Sequence, residues 1–548
     1  MSDVLELDYN LTELPSSQHR AGLAGLVLMV KWLARDKSRK GICELTRLDE
    51  HGTTLRIDQT GLQELFDEIY AASQEEQGEP KLRKNKSDEI VPPIREEVRQ
   101  EADKTGKIRE KKYYFYPVTI PRGAFLVDYD PSAKDADGVW IRLWRNMIWG
   151  ILRGVPATRR PFEERSRGQF TEDADKVWQD LQRPAKYTVD LPSTYFIGAQ
   201  ASNAENVPFK DRARSQFLLH FWAFVAQIYI PTTLIYDRKK KEGKPKDVGY
   251  AITIPDVANL EDFCDELPKV LQRDRSAAAH NYFRRRPSES VIDLAAESAL
   301  DLMSKLNQRL AAEAGNQSVS DLLLGVDVVH LEKQGNNIRL WGTARIDPTR
   351  SMIDEYARVK GMFRYALFRR QRLLNMLNER EWFSGFGSLL STTDSEQTFG
   401  SRFFRADVRT AFKDSMQSNQ STKGEKAEVD TDTSKQPADQ SSVEDLVYQL
   451  VGTYITAKLR SKHQLEWKGV QGSPKEAEYG EKKTKIAKDA FLSVRSRTGD
   501  DFVEYFVSTL CSFPQFLNEE GYATIAQALH IDTDKVRTLT LLALSARG

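Results

Sequence analysis

The chain has 548 residues, 40% hydrophobic and 29% charged, which is enough for roughly two to four domains with sizeable cores. Its 80 Lys and Arg balance 80 Asp and Glu, so any polynucleotide surface has to come from cations sorted onto local patches, not from overall charge. Cys43, Cys264 and Cys511 are too few and too scattered for a disulfide framework or a Cys-x-x-Cys metal site, and fit a reducing cytoplasm.

The N-terminal stretch lacks the basic-then-apolar pattern of a secretion signal. After Pro15, Ser16 or Ser17 is placed to cap a helix running from Ser17 to Arg35. Gly22 and Gly25 in one turn of that helix predict close approach by another element. His19 and Arg20 lie at its positive end, where a phosphate is favoured.

Residues 75–112 are crowded with charge and read as a mobile insertion or an exposed helix. Asp128, Asp130, Asp135 and Asp137 read as an acidic turn, because a calcium loop would want an acidic ligand near Val139 and none is there. The stretch Trp140 to Gly154 predicts an amphipathic helix. Its core face holds Trp140, Leu143, Trp144, Met147, Ile148 and Ile151; the other face holds Arg142, Arg145, Trp149 and Arg153. Arg159, Arg160, Arg165 and Arg167 follow in the next loop. Guanidinium groups pair with phosphates and an indole stacks on a base, so this face suits a nucleic-acid strand. The alternative is a solvated face with Trp149 covered by another segment.

The loop 198–209 offers three amides, Gln200, Asn203 and Asn206, among small residues, which suits reading of base edges in a groove. The apolar run Phe217 to Ile230, interrupted by His220 and Gln227, is shorter than the roughly 20 residues of a bilayer span and predicts a buried core helix. Two hairpins follow. One joins 232–236 to 249–254 around a basic tip; the other joins 323–331 to 338–346 through EKQGNN. Arg358 to Arg372 forms a second basic run, with acidic neighbours Asp354 and Glu355 able to neutralise it.

Residues 415–442 contain no aromatic residue and only Met416 and Val429 as large aliphatics, so they predict a flexible linker. It divides an α+β body, residues 1–414, from a helical bundle, residues 443–548. From Lys458 to Arg497 the bundle carries a net charge of +6, densest at Lys482, Lys483, Lys485, Lys488, Arg495 and Arg497. Such a flank suits a separated strand held through its backbone. The alternative is a set of ordinary surface lysines. No His-Glu-x-x-His, Walker A or Gly-x-Ser-x-Gly pattern occurs, and no cofactor or metal is expected.

Four blocks together carry a family resemblance: LPSSQHRAGLAGL at 14–26, GAQASNAENVPF with the later LHFW at 198–222, GYAITIPDVANLEDF at 249–263, and VHLEKQGNNIRL at 329–340. The chain resembles the large subunit, the Cas-eight group, of type I CRISPR-Cas Cascade complexes, nearest the type I-B-like or myxobacterial branch. The resemblance implies a non-catalytic subunit that contacts the guide RNA handle, recognises the adjacent motif in target double-stranded DNA, promotes R-loop formation and recruits a nuclease-helicase or transposition proteins. It implies backbone and handle-binding subunits as further partners. On it, Gln200, Asn203 and Asn206 are expected near the adjacent motif, and Arg142, Arg145, Trp149, Arg153, Arg159 and Arg160 on nucleic-acid backbone. Lys482, Lys483, Lys485, Lys488, Arg495 and Arg497 are expected on the displaced strand, and His19 and Arg20 near the RNA handle. Met416, immediately before the expected linker, is a candidate internal start for a separate bundle. A metal-dependent nuclease with carboxylates converging from distant segments, or a scaffold binding only proteins, are the alternative readings.

Overall fold

The structure, a computed structural model, describes residues 4–85, 87–102, 108–129, 139–152, 159–191, 196–197, 209–237, 242–271, 282–283, 286–312, 317–335, 337–427, 442–513 and 517–548. Many helices and several small, mostly antiparallel sheets make it an α+β protein, as expected. Its contacts divide it into two units: Met1–Thr232 with Asp247–Arg350, and Thr233–Lys246 with Ser351–Gly548.

The first unit opens with β1 (Val4–Asn10), α1 (Ser17–Leu33), β2 (Cys43–Leu48), β3 (Gly52–Asp58) and α2 (Gln59–Ile69). The three strands form a sheet in the order β1-β3-β2. Ser16 caps α1, its side chain accepting from the His19 amide at 3.4 Å. The run from Ala21 to Val30 is buried on every side, which explains why it is apolar all round. A Cβ on Gly22 or Gly25 would stand 2.3 Å from the carbonyl oxygens of Leu218 and Phe221, so both glycines answer a close backbone approach.

The charged stretch after α2 is a sheet, not a mobile insertion or a helix. β4 (Ala72–Glu79), β5 (Arg95–Ala102) and β6 (Ile108–Pro121) pair antiparallel in the order β4-β6-β5. Its charges neutralise one another across the strands. Arg95 pairs with Glu76 at 2.6 Å and with Glu97 at 2.9 Å, and its guanidinium lies 3.6 Å from the Phe115 ring centre. Lys111 pairs with Glu101 at 3.2 Å. Cross-strand pairs of this kind replace the apolar alternation by which a strand is usually read.

α3 (Val139–Asn146) passes directly into a π turn over Met147–Ile151, followed by α4 (Arg160–Ser166) and α5 (Asp173–Leu181). β7 (Thr188–Leu191) and β8 (Phe209–Arg212) pair antiparallel, with Leu191 opposite Phe209. The expected core helix over 217–230 is instead α6 (Ala213–Leu218), a short turn over Trp222–Phe224, and the start of β9 (Gln227–Asp237). Every residue of that run is buried, so its apolarity reports burial and leaves helix and strand undistinguished.

β10 (Glu242–Asp247) intervenes in the first expected hairpin and extends the sheet on the far side of β9 from β11 (Tyr250–Val257). After α7 (Leu260–Leu271) and α8 (Glu297–Ala312), β12 (Leu323–Gln334) and β13 (Asn337–Ile346) form the second hairpin as expected. Gly335 takes a φ of 60° at its turn, a conformation that favours glycine. The sheet order is β10-β9-β11-β12-β13. Buried Asp256 on β11 receives Arg345 from β13 at 2.8 Å, and Arg20 from α1 as well.

The second unit holds α9 (Arg350–Met362), α10 (Ala366–Leu377), α11 (Arg402–Ala427), α12 (Val443–His463), α13 (Glu476–Arg495), α14 (Gly499–Tyr505), α15 (Glu519–Ile531) and α16 (Thr533–Arg547), so the part after residue 443 is helical as expected. α16 is the axis. Val536 to Ala546 are buried without interruption, and α11, α12, α13 and α15 pack around them. Its buried hydroxyls bond their own helix, Thr540 to the Val536 carbonyl at 2.7 Å and Ser545 to that of Leu541 at 3.0 Å.

The contact boundary falls at Arg350/Ser351, ahead of the expected body–bundle division. α11 enters the segment expected to be a linker and ends at Ala427; residues 428–441 lie outside the described residues. Met416 therefore sits within a helix. Among the described residues no helix is long and apolar enough to cross a membrane.

Candidate nucleic-acid interface

The N-terminal turn of α1 holds both stems of the amide-bearing loop. The Gln18 side-chain oxygen accepts from the Ile197 amide at 3.3 Å, and the Phe196 ring lies 6.0 Å from that of His19. On the other stem, Asp211 of β8 meets His19 Nε2 at 2.8 Å, while Ser16 Oγ meets Nδ1 at 2.8 Å. Gln200, Asn203 and Asn206 themselves lie outside the described residues.

His19 is 1% exposed, with both ring nitrogens engaged. Arg20 pairs with Asp256 and donates to the Leu11 carbonyl at 3.1 Å. The His19 ring nitrogens are thus occupied internally, whereas the Arg20 guanidinium is partly exposed and has N–H donors beyond these contacts. Both tie elements of the first unit together.

The arginine-rich face after Val139 is likewise turned to internal use. The π turn breaks the regular helical spacing on which one continuous face depends. Arg145 Nε donates to the Pro121 carbonyl at 2.6 Å. Trp149 is covered by the Arg159 guanidinium at 4.6 Å and by the Phe162 ring at 5.9 Å. Arg160 pairs with Glu164 one turn along. Arg165 is 8% exposed and bridges Asp67 and Asp173, each at 2.8 Å. Arg142 is half-buried, and Arg153 lies outside the described residues. In the second basic run, Arg358 pairs with Asp414 and buried Arg372 with Glu355, each at 3.3 Å.

On α13 and just past its end the six expected cations separate into three groups. Lys488 pairs with Glu396 at 3.2 Å, Arg495 donates to the Thr393 carbonyl at 2.7 Å, and Arg497 donates to that of Ser493 at 2.7 Å and pairs with Asp501 at 3.5 Å. Half-buried Lys482 and exposed Lys485 have no carboxylate within ion-pair distance among the described residues. Lys483 is half-buried within range of the charges of Arg405 and Arg409 of α11 and Arg547 of α16. Burial, and then the charges of Arg547, Arg409 and Arg405, lower its pKa below the ordinary 10.5.

Those three arginines escape a local reading of the sequence. Arg405 and Arg409 are four apart and so share a helix face, but Lys483 and Arg547 join them only through the bundle. Beside them runs an open groove of about 840 Å³ along α12, lined by Gln449, Thr453, Thr456, Arg460, Phe513 and Arg547 among others. The arrangement can hold anions; among the described residues no three His, Cys, Asp or Glu converge to hold a metal ion.

Residues 42–316 match the family model described as Type I-B CRISPR Cas8b N-terminal domain, and residues 323–547 match that described as Type I-B CRISPR Cas8b C-terminal domain. No curated protein matches the chain.

Proposed function

Because the chain belongs to the type I-B CRISPR Cas8b family, as a Cascade large subunit, we propose that its second unit holds a separated DNA strand through the sugar-phosphate backbone, with no chemistry of its own. The observation that carries this reading is the group on and around α13: Lys482, Lys483, Lys485, Arg405, Arg409 and Arg547, none within ion-pair distance of a carboxylate among the described residues. Unpaired cations of this kind bind polyanions by counterion release and read no sequence. In this reading the guide RNA and target double-stranded DNA are the nucleic-acid partners, and the amides Gln200, Asn203 and Asn206 recognise the adjacent motif to begin R-loop formation. Support for the amide role is the double tethering of their loop by Gln18 and His19, which limits the freedom of its stems. A nuclease-helicase or a transposition protein then joins the assembled complex.

The deciding measurement is single-strand binding by the full chain across a salt series. Replacing Lys482 and Lys485 together by Ala should weaken binding equally for all sequences and lower the salt slope by about 1.4 units. An unchanged slope would sink the strand-holding reading. For the loop, Gln200→Ala with Asn203→Ala should abolish adjacent-motif discrimination by the assembled complex while guide RNA assembly persists; retained discrimination would remove those residues from the role.

A second surface favours protein. On the β4-β6-β5 sheet and its connection, Ile90, Ile94, Val98 and Ile108 are all more than half exposed, while many of the surrounding charges are already paired with one another. We assign that sheet to contact with another subunit of the complex.

A further inference from the structure

We propose that Arg405, Arg409, Lys483 and Arg547 form a pocket for a single phosphate group. The proposal deepens the strand-holding reading and rests on it where the phosphate is a strand's own. Arg405 and Arg409 stand one turn apart on α11, and Arg409 reaches the end of α16 at the residue before Arg547; the charges of all three bear on half-buried Lys483 of α13. The neutral contacts they make leave hydrogen-bonding capacity unused. Arg409 donates to the Ala546 carbonyl at 3.4 Å and Arg547 to that of Tyr448 at 3.4 Å. Arg547 also lies flat on the Tyr448 ring at 3.9 Å, and Arg405 lies 5.7 Å from the Phe399 ring centre. The Nε atoms of Arg405 and Arg547 are buried with no acceptor.

Arg409 is exposed, but crowding the half-buried Arg405, Lys483 and Arg547 beside it costs free energy, and a buried donor without an acceptor adds to that cost. The carbonyl and ring contacts offset part of it, but no carboxylate among the described residues pairs with these four cations. A phosphate would offset the rest on both counts, bringing negative charge to the centre and several acceptor oxygens to guanidinium forks that match its geometry. Access is provided by the groove along α12, which reaches Arg547. Gly452 keeps this approach open, since a Cβ there would stand 3.0 Å from the Arg547 guanidinium carbon. The ligand class is therefore a phosphate oxyanion, supplied by a strand backbone or by a free phosphate compound.

The test follows thermal unfolding of the full chain in pyrophosphate, with sodium chloride matched for ionic strength. Pyrophosphate should raise the wild-type Tm in a saturable way, because a ligand of the folded state alone stabilises it by mass action. Lys483→Met and Arg405→Gln should each weaken the apparent Kd by at least about tenfold. Without pyrophosphate, Lys483→Met should unfold at a higher temperature than wild type, since it removes a repelled charge. A wild-type Tm that follows ionic strength alone overturns the pocket, as does an undiminished response in both variants.

Competition by a short oligothymidylate separates the two sources. Displacement of pyrophosphate assigns the pocket to a strand phosphate, and co-occupancy assigns it to a free phosphate compound. If Lys482→Ala with Lys485→Ala leaves strand binding and its salt slope unchanged while the pyrophosphate response persists, the strand-holding reading fails and the pocket stands. The reverse pattern removes the pocket alone.

Discussion

The arginines between Arg142 and Arg165 and the cations around Lys483 are both dense runs of positive charge, yet they end in different states. In the first region Arg145, Arg159, Arg160 and Arg165 find carbonyls, a ring or carboxylates within the first unit. In the second, the four cations find carbonyls and rings but no carboxylate among the described residues. Charge density alone therefore says little about polyanion binding. What separates the two is whether an internal carboxylate is already in place.

That contrast yields measurable differences. Arg165→Met should cost about 4 kcal/mol by urea unfolding, because it strips a largely buried cation from Asp67 and Asp173. Strand affinity should be untouched by that change; a matching loss of affinity would return the first region to the interface.

Next in size is an acid effect at His220, buried against Tyr70, Phe66 and Phe221. Burial, partly opposed by Asp173, pushes its pKa from 6.5 down to about 4. The unfolded chain thus binds the proton more readily, and stability present above pH 6.5 is lost as pH falls toward 4, by about 3 kcal/mol. His220→Phe should flatten that acid limb of the stability profile, at the cost of leaving the Tyr70 hydroxyl without this partner. An acid limb identical to that of wild type would show that other groups govern it.

Lys483 gives a smaller effect at the opposite end of the pH scale. Its folded pKa lies below 10.5, so the unfolded state holds that proton more tightly and stability rises as pH climbs toward 10.5. Lys483→Met should remove this rise. Smallest of all is Arg160→Ala, where an exposed pair within one helix is lost and neither Tm nor strand affinity should change resolvably.

Local signals in the sequence served well wherever a short segment decides its own structure. The Ser16 cap, the Gly335 turn and the helices after residue 443 follow from residues a few positions apart. Gly22 and Gly25 announced a close neighbour without saying that it would be the backbone at Leu218 and Phe221. The family resemblance, carried by four short blocks, agrees with the matched family. Reading failed where long-range partners decide. Strands β4 to β6 are held by ion pairs and ring–cation contacts that local charge obscures, and the π turn moved Trp149 under Arg159. Of the four cations in the proposed pocket, only Lys483 stood in a run that drew attention. The others come from α11 and α16, far along the chain from it.

The position of α16 in chain order has a consequence for synthesis. Its neighbours α11, α12, α13 and α15 all leave the ribosome before it, carrying apolar faces whose natural covering has not yet been made. Until the segment from Val536 to Ala546 emerges, those helices lack the rod around which they close. The second unit is therefore exposed to premature self-association during translation for as long as that segment is missing, and a stalled or shortened product should be cleared or aggregated instead of persisting half-folded.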